Sequence, residues 1–100
     1  MTKINIISGF LGAIEVAVEY AEAHPETLVV VTADHGTGGL TIISGNADFT
    51  LSEQGVAYTW STTGHSGVMV PIYLYGTGAE LINGVMENAD LGARLKALIE

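Results

Sequence analysis

An aspartate and a histidine stand side by side at Asp34-His35, and a second histidine, His65, lies further along in a loop of small polar residues. A carboxylate beside an imidazole suits a divalent cation: the first supplies charge, the second a neutral nitrogen donor. The chain has no cysteine, so disulfides and thiolate sites are excluded and any metal must be held by His, Asp or Glu. That ligand set suits zinc at a catalytic site, or magnesium where carboxylates act alone. Neighbouring residues on a regular strand point to opposite faces. Asp34 and His35 can therefore share a metal only where the chain has left its strand, and Gly36-Thr37-Gly38-Gly39 makes that easy. The same residues also have an ordinary reading. Asp34 would cap a loop, His35 would be exposed, and His65 would bond to backbone or solvent, because a dipeptide is a weak motif. His24, next to Pro25 at a helix end, reads as a surface residue.

The elements that must position these residues follow from the apolar pattern. Ala13 to His24 places Ile14, Ala17, Val18 and Ala21 on one face and glutamates on another, a helical period that Pro25 stops. Thr27 to Ala33 is a β-branched run that reads as a buried strand parallel to its neighbours, and it leads directly into Asp34. Ligands of open α/β sheets gather beyond the carboxyl ends of strands, which is where this puts the pair. Leu40 to Ser44 reads as a short strand, Gly45 to Gly55 as a polar surface excursion, and Ala57 to Trp60 as an edge strand. Ser61 to Gly67 is a second glycine-containing loop, and Val68 to Tyr75 a further strand in which Pro71 argues for an edge or a bulge. Thr77 and Glu80 have the spacing of a capping box for a short helix to about Asn83. Asn88 or Asp90 would cap a last helix, Leu91 to Ile99, with Leu91, Leu95, Leu98 and Ile99 as its apolar face.

Composition narrows the classes. The 100 residues are 48% apolar, include 13 glycines and carry only 14% charged side chains. Strands that are apolar at nearly every position need covering on both faces, and so short a chain has little material to do it. The expectation is a single segment, 1–100, of a larger domain. The net charge is −8, with Lys3, Arg94 and Lys96 the only bases, which disfavours nucleic acid as a partner. No run of 18 apolar residues exists, so a membrane span is not expected. Met1 to Ile14 weakly mimics a signal peptide, but Asn5 and Ser8 interrupt it and no clear cleavage site follows.

Two stretches carry a resemblance. Thr27 to Ile42 (TLVVVTADHGTGGLTI) resembles the metal-ligand strand and loop of the alkaline phosphatases. Thr59 to Glu80 (TWSTTGHSGVMVPIYLYGTGAE) resembles that family's later segment, which carries another metal-binding histidine. The two are in family order and followed by a similar terminal helix, so the resemblance runs over residues 10–99. It implies an α/β fold: part of an alkaline-phosphatase-like sandwich, a few largely parallel strands with flanking helices and an excursion between the two motifs. It implies that Asp34 and His35 bind the zinc that contacts the nucleophile. His65 would bind a second zinc, which engages substrate phosphate and activates water. Two such metals stabilise the attacking and leaving oxygens of an in-line displacement on a phosphate monoester. In that mechanism a serine attacks phosphorus and water then releases the phosphoseryl intermediate. Thr37, Gly38 and Gly39 look like shaping residues of the loop, and export to the periplasm or outside the cell goes with the family.

The departures from the family pattern matter equally. Its nucleophilic serine lies N-terminal to these segments and has no counterpart here; Ser61 and Ser66 stand in the wrong motif. The remaining zinc ligands, the magnesium ligands and the phosphate-binding arginine are missing too, and Arg94 is no substitute. Residues 1 to about 9 do not follow the family pattern before the helix. Catalytic zinc normally keeps three protein ligands. This chain offers at most two to one metal and one to the other, so weak zinc binding and no turnover are expected of it alone. Two other readings stand beside this one. The first is a fragment of a related metalloenzyme of mutase or sulfatase type. The second is a small α/β interaction module whose metal motif is a remnant, with its apolar strands covered by a partner chain or a second copy.

Overall fold

The computed structural model describes residues 3–43 and 57–100. In chain order the elements are helix α1 (Lys3–Ala23), strands β1 (Leu28–Val31), β2 (Gly36–Thr37), β3 (Leu40–Ile43), β4 (Ala57–Trp60), β5 (His65–Ser66) and β6 (Tyr73–Gly76), a 3-10 turn η1 (Ala79–Leu81) and helix α2 (Asn88–Ile99). The expected polar excursion, Gly45 to Gly55, lies outside the described residues. Helices and small strand pairs make a mixed α/β structure, as expected. The chain divides into two compact units: Met1–Thr32 with Ile72–Glu100, and Ala33–Pro71.

In the first unit α1 packs on the pair β1–β6. The helix stops where the sequence places the stop, at Ala23 before Pro25. His24 is more than a surface residue: its ring stacks on Tyr20 at 3.8 Å and Nδ1 lies 2.9 Å from the Tyr20 carbonyl oxygen. The same carbonyl also accepts the His24 backbone N–H at 3.0 Å, so backbone and ring close the last helical turn together. The start differs from expectation. Apolar periodicity is readable only from Ala13, because Ser8, Gly9 and Gly12 resemble loop residues, yet the helix begins at Lys3. A Cβ at Gly9 or Gly12 would meet nothing within 4 Å, so both cost propensity alone, and a helix already nucleated propagates through them.

Strand direction is a correction. The pairings β1–β6, β2–β5 and β3–β4 are all antiparallel, not largely parallel. A continuous β-branched run such as Leu28–Val31 says that both faces want cover; it says nothing about which way the neighbour runs. All four residues of β1 are half-buried rather than buried. The last strand is shorter than read, starting at Tyr73 rather than Val68. Pro71 explains this, since it has no N–H to give to a ladder and restricts the residue before it.

The capping box is also corrected. Thr77 donates its hydroxyl to the Pro25 carbonyl, while η1 is entered through Gly78 at φ 89° with no side-chain cap. Leu98 packs against Gly78, 3.5 Å from where a Cβ would stand. Helix α2 starts at Asn88, three residues ahead of expectation, and Glu87 occupies the cap position without a side-chain bond. Leu91, Leu95 and Leu98 are half-buried as expected, whereas Ile99 is exposed. Arg94 donates to the Asn83 carbonyl at 3.4 Å. Tyr75 donates to Glu22 at 3.1 Å. That bond, with the carboxylate's charge and a little desolvation, raises the tyrosine pKa above its ordinary 10.0. The contact thus contributes below pH 10 and is lost as pH rises through the raised value.

Among the described residues only Ala21 and Ile82 are buried apolar side chains. Phe10, Leu11, Val16 and Tyr20 of α1 remain exposed, as do Tyr73 and Tyr75 of β6. In the second unit the β3–β4 pair shows the same character. Leu40 opposes Trp60 and Ile42 opposes Tyr58, and all four are exposed.

Candidate functional site

All three residues singled out from the sequence lie in the second unit, Ala33–Pro71. Asp34 and His35 follow β1 in the chain, past its last strand residue, where the backbone no longer alternates its side chains between two faces. Both can therefore turn to the same side. His35 Nε2 stands 3.5 Å from Asp34 Oδ2. The other ring nitrogen, Nδ1, lies 3.0 Å from the Gly36 carbonyl oxygen, with the Thr37 hydroxyl 3.4 Å away. A carbonyl oxygen only accepts, so this contact places a proton on Nδ1, and in the neutral ring the lone pair that a metal takes is then on Nε2. Two electron-pair donors then face each other. Two ligands of a tetrahedral zinc bound at about 2.0–2.1 Å lie roughly 3.3 Å apart, so the Asp34–His35 spacing fits one cation between them. The Nδ1–carbonyl bond is also the usual way a metal-binding histidine is oriented.

His65 is brought to the same place by the β2–β5 ladder, which pairs Gly36 with Ser66 and Thr37 with His65. Its ring stacks on that of His35, with centroids 3.6 Å apart and planes 27° apart. The stack therefore puts both imidazoles in one place, whichever atoms they present. Among the described residues no three His, Asp or Glu side chains converge on a single metal position. Asp34 and His35 face each other across 3.5 Å, and His65 stands beside them through the ring stack. The Asp34 side chain is 86% exposed and that of His35 36%, so nothing described shuts water out.

Glycines make the ladder's close approach feasible. A Cβ at Gly36 would come 2.5 Å from Ser66 Oγ and 2.7 Å from Val68 Cγ2. Gly38 and Gly39 adopt φ of 81° and 56°, the left-handed region that costs other residues about 1–2 kcal/mol. A side chain at Gly39 would run into Ser61. Ser66 Oγ is buried and has no hydrogen-bond partner among the described residues. It lines, with Gly36, Thr37, Thr41 and Ser61, an open cleft of about 260 Å³ that carries hydroxyls and no charge. The residue sequence reasoning missed is Trp60. It read only as one position in an alternating strand, yet its indole lies against Gly38. The available signal was the chain's single tryptophan, standing immediately before the glycine-containing loop 61–67.

No protein-family model matches the chain. It is 33% identical to the streptomycin-6-phosphate phosphatase of Streptomyces griseus over 100 aligned positions, which cover 87% of this chain and 22% of that protein. Its fold matches the alkaline phosphatase of the Antarctic bacterium TAB5 with a TM-score of 0.77 at 34% identity, over 92% of this chain and 27% of that one. A histidine-to-aspartate variant of the same enzyme, with magnesium in its M3 site, matches with a TM-score of 0.79 at 33% identity, over 95% of this chain and 29% of that one. The resemblance to the C-terminal portion of the alkaline phosphatases thus holds in sequence and in fold. The chain spans about a fifth to three tenths of the length of the proteins it matches.

Proposed function

We propose, on the strength of this resemblance to the C-terminal portion of the alkaline phosphatases, that residues 1–100 are one segment of a zinc-dependent phosphomonoester hydrolase and contribute part of its two-metal site. The observation that carries the reading is the juxtaposition of Asp34, His35 and His65, with Nε2 and Oδ2 3.5 Å apart and the imidazoles stacked at 3.6 Å. Asp34 and His35 would hold one zinc and His65 its neighbour, with magnesium bound by residues the chain does not carry. Bound there, the metals would neutralise charge on the phosphoryl group and lower the pKa of a water. The chain's own part is positional. The Gly36 carbonyl orients the His35 ring through Nδ1, and the β2–β5 ladder brings the two imidazoles together.

The substrate of the whole would be a phosphate monoester, and the nucleophile would come from outside these residues. The exposed apolar faces of α1 and of β3–β4 support this, since uncovered surface of that kind marks where further structure docks. Export is proposed with the family. No helix among the described residues is long and apolar enough to cross a membrane.

A chimaera tests the reading. This chain replaces the matching portion of the TAB5 alkaline phosphatase, and hydrolysis of a chromogenic phosphate monoester is measured with zinc and magnesium supplied. Turnover in the chimaera, with none from the 100-residue chain alone, is the expected result. A folded chimaera that binds zinc without turning over, or robust turnover by the isolated chain, would count against it.

A further inference from the structure

We propose that Trp60 is a positioning residue, whose indole, packed on Gly38, holds the two histidine-bearing segments in the register that stacks His35 on His65. The ladder that joins those segments directly is only two residue pairs long. Two-stranded pairings are marginal even at ordinary length, so this one needs support. Gly38 supplies the backbone part. It is buried, and its N–H donates to the Gly64 carbonyl at 2.9 Å, while its own carbonyl accepts from the N–H groups of Ser61 at 3.0 Å and Thr62 at 3.2 Å. Gly64 immediately precedes His65, so the first of these bonds fixes the backbone that carries the ring.

Trp60 supplies the side-chain part. A Cβ on Gly38 would lie 2.5 Å from Trp60 Cε3 and 2.8 Å from Cζ3, so the six-membered ring fills the space a side chain at 38 would take. With the ring against it Gly38 is buried, and hydrogen bonds made by a buried backbone are harder to exchange for solvent. Trp60 is also the last residue of β4, opposite Leu40. It therefore ties the four-pair ladder β3–β4 to the two-pair ladder β2–β5. Its action on the site runs through Gly38 and Gly64, not through contact with reacting atoms.

The functional consequence rests on reading His35 and His65 as ligands, but the ring stack belongs to the metal-free chain and is measured there. In the 100-residue chain, nuclear Overhauser effects between imidazole protons of His35 and His65 report the stack, and calorimetric zinc titration reports the ligands. Trp60→Ala is expected to abolish these effects and weaken zinc binding roughly tenfold or more, the range for groups that support metal ligands. Trp60→Phe keeps an aromatic face on Gly38 and retains both. Circular dichroism at 222 nm follows α1 and α2 in the other unit and shows whether disruption of the stack is local. Should Trp60→Ala unfold its helices too, Trp60→Leu decides, because it keeps bulk without a flat ring. Disappearance of the imidazole signals in Trp60→Leu supports the role of the indole, and their persistence overturns it. Imidazole signals that persist in a folded Trp60→Ala overturn the proposal outright. If they vanish in Trp60→Ala while the unsubstituted chain binds no zinc, the positioning role is supported and the metal reading is weakened instead.

Discussion

In the phosphatase chimaera, Asp34→Ala or His65→Ala lowers kcat/KM for a phosphate monoester by about a thousandfold or more. The magnitude follows from the ligand role proposed for each residue. Removing one preorganised donor from a developing negative charge costs about 10²–10³ in rate, and a displaced divalent cation removes more charge than a single donor. Asp34 is the anionic half of the pair that faces His35 Nε2 at 3.5 Å, so its loss leaves an imidazole alone to hold a cation. His65, stacked on His35 with centroids 3.6 Å apart, is the ligand proposed for the neighbouring position. Asp34→Asn separates charge from shape: it keeps an oxygen in place and should still lose most of the activity. His24→Ala is the control, because that imidazole is spent on Tyr20 at the end of α1. Steady-state kinetics at saturating zinc check all four. Falls of less than tenfold for both Asp34→Ala and His65→Ala would mean that neither is a ligand.

The second large effect concerns stability and is independent of any metal. Gly76→Ala destabilises the unit built on α1, β1 and β6 by about 3 kcal/mol or more. Gly76 sits at φ 106° opposite Leu28, and a Cβ there would press on the Thr27 carbonyl oxygen. Strain of this kind costs of order 1–3 kcal/mol, and overpacking typically adds roughly another 1–3. Because the obstacle is backbone, no side chain can swing aside. Gly84 isolates the conformational part. It has φ 84° but open space around it, so Gly84→Ala bears the backbone strain alone. Urea unfolding followed at 222 nm gives both values, and equal losses would show that the Gly76–Thr27 contact carries nothing. A domain of ordinary stability has only about 5–15 kcal/mol to lose, so Gly76→Ala consumes a large part of it.

How much of this could be read from residues depends on how far each signal reaches. Asp34-His35 ahead of a glycine run and Gly64-His65 in its own loop marked candidate ligands by type, but those residues alone left the ordinary reading open, and only the wording around them, similar to the alkaline phosphatases, singled them out. That the two loops meet was not local. It depends on an antiparallel ladder of two residue pairs, too short to leave a periodic trace. Strand positions were readable at Leu28–Val31, Leu40–Ile43 and Ala57–Trp60, where apolar or β-branched residues run together. Strand direction was not, since side-chain pattern encodes covered faces and is silent about the neighbour's polarity. The Thr77–Glu80 spacing misled for a definite reason. The hydroxyl found a carbonyl at Pro25, distant in sequence, and that competitor is invisible to a four-residue motif. Trp60 escaped notice likewise: its role comes from Gly38, distant in the chain.

Zinc X-ray absorption on the metal-loaded chimaera tests the assignment of the three ligands most directly. The expected spectrum has a first shell of mixed imidazole and carboxylate ligands with a metal–metal distance of about 3.5–4 Å. Asp34→Ala and His35→Ala should each deplete one metal position, and His65→Ala the other. Spectra that stay unchanged in all three variants would place the zinc elsewhere and contradict the assignment of Asp34, His35 and His65.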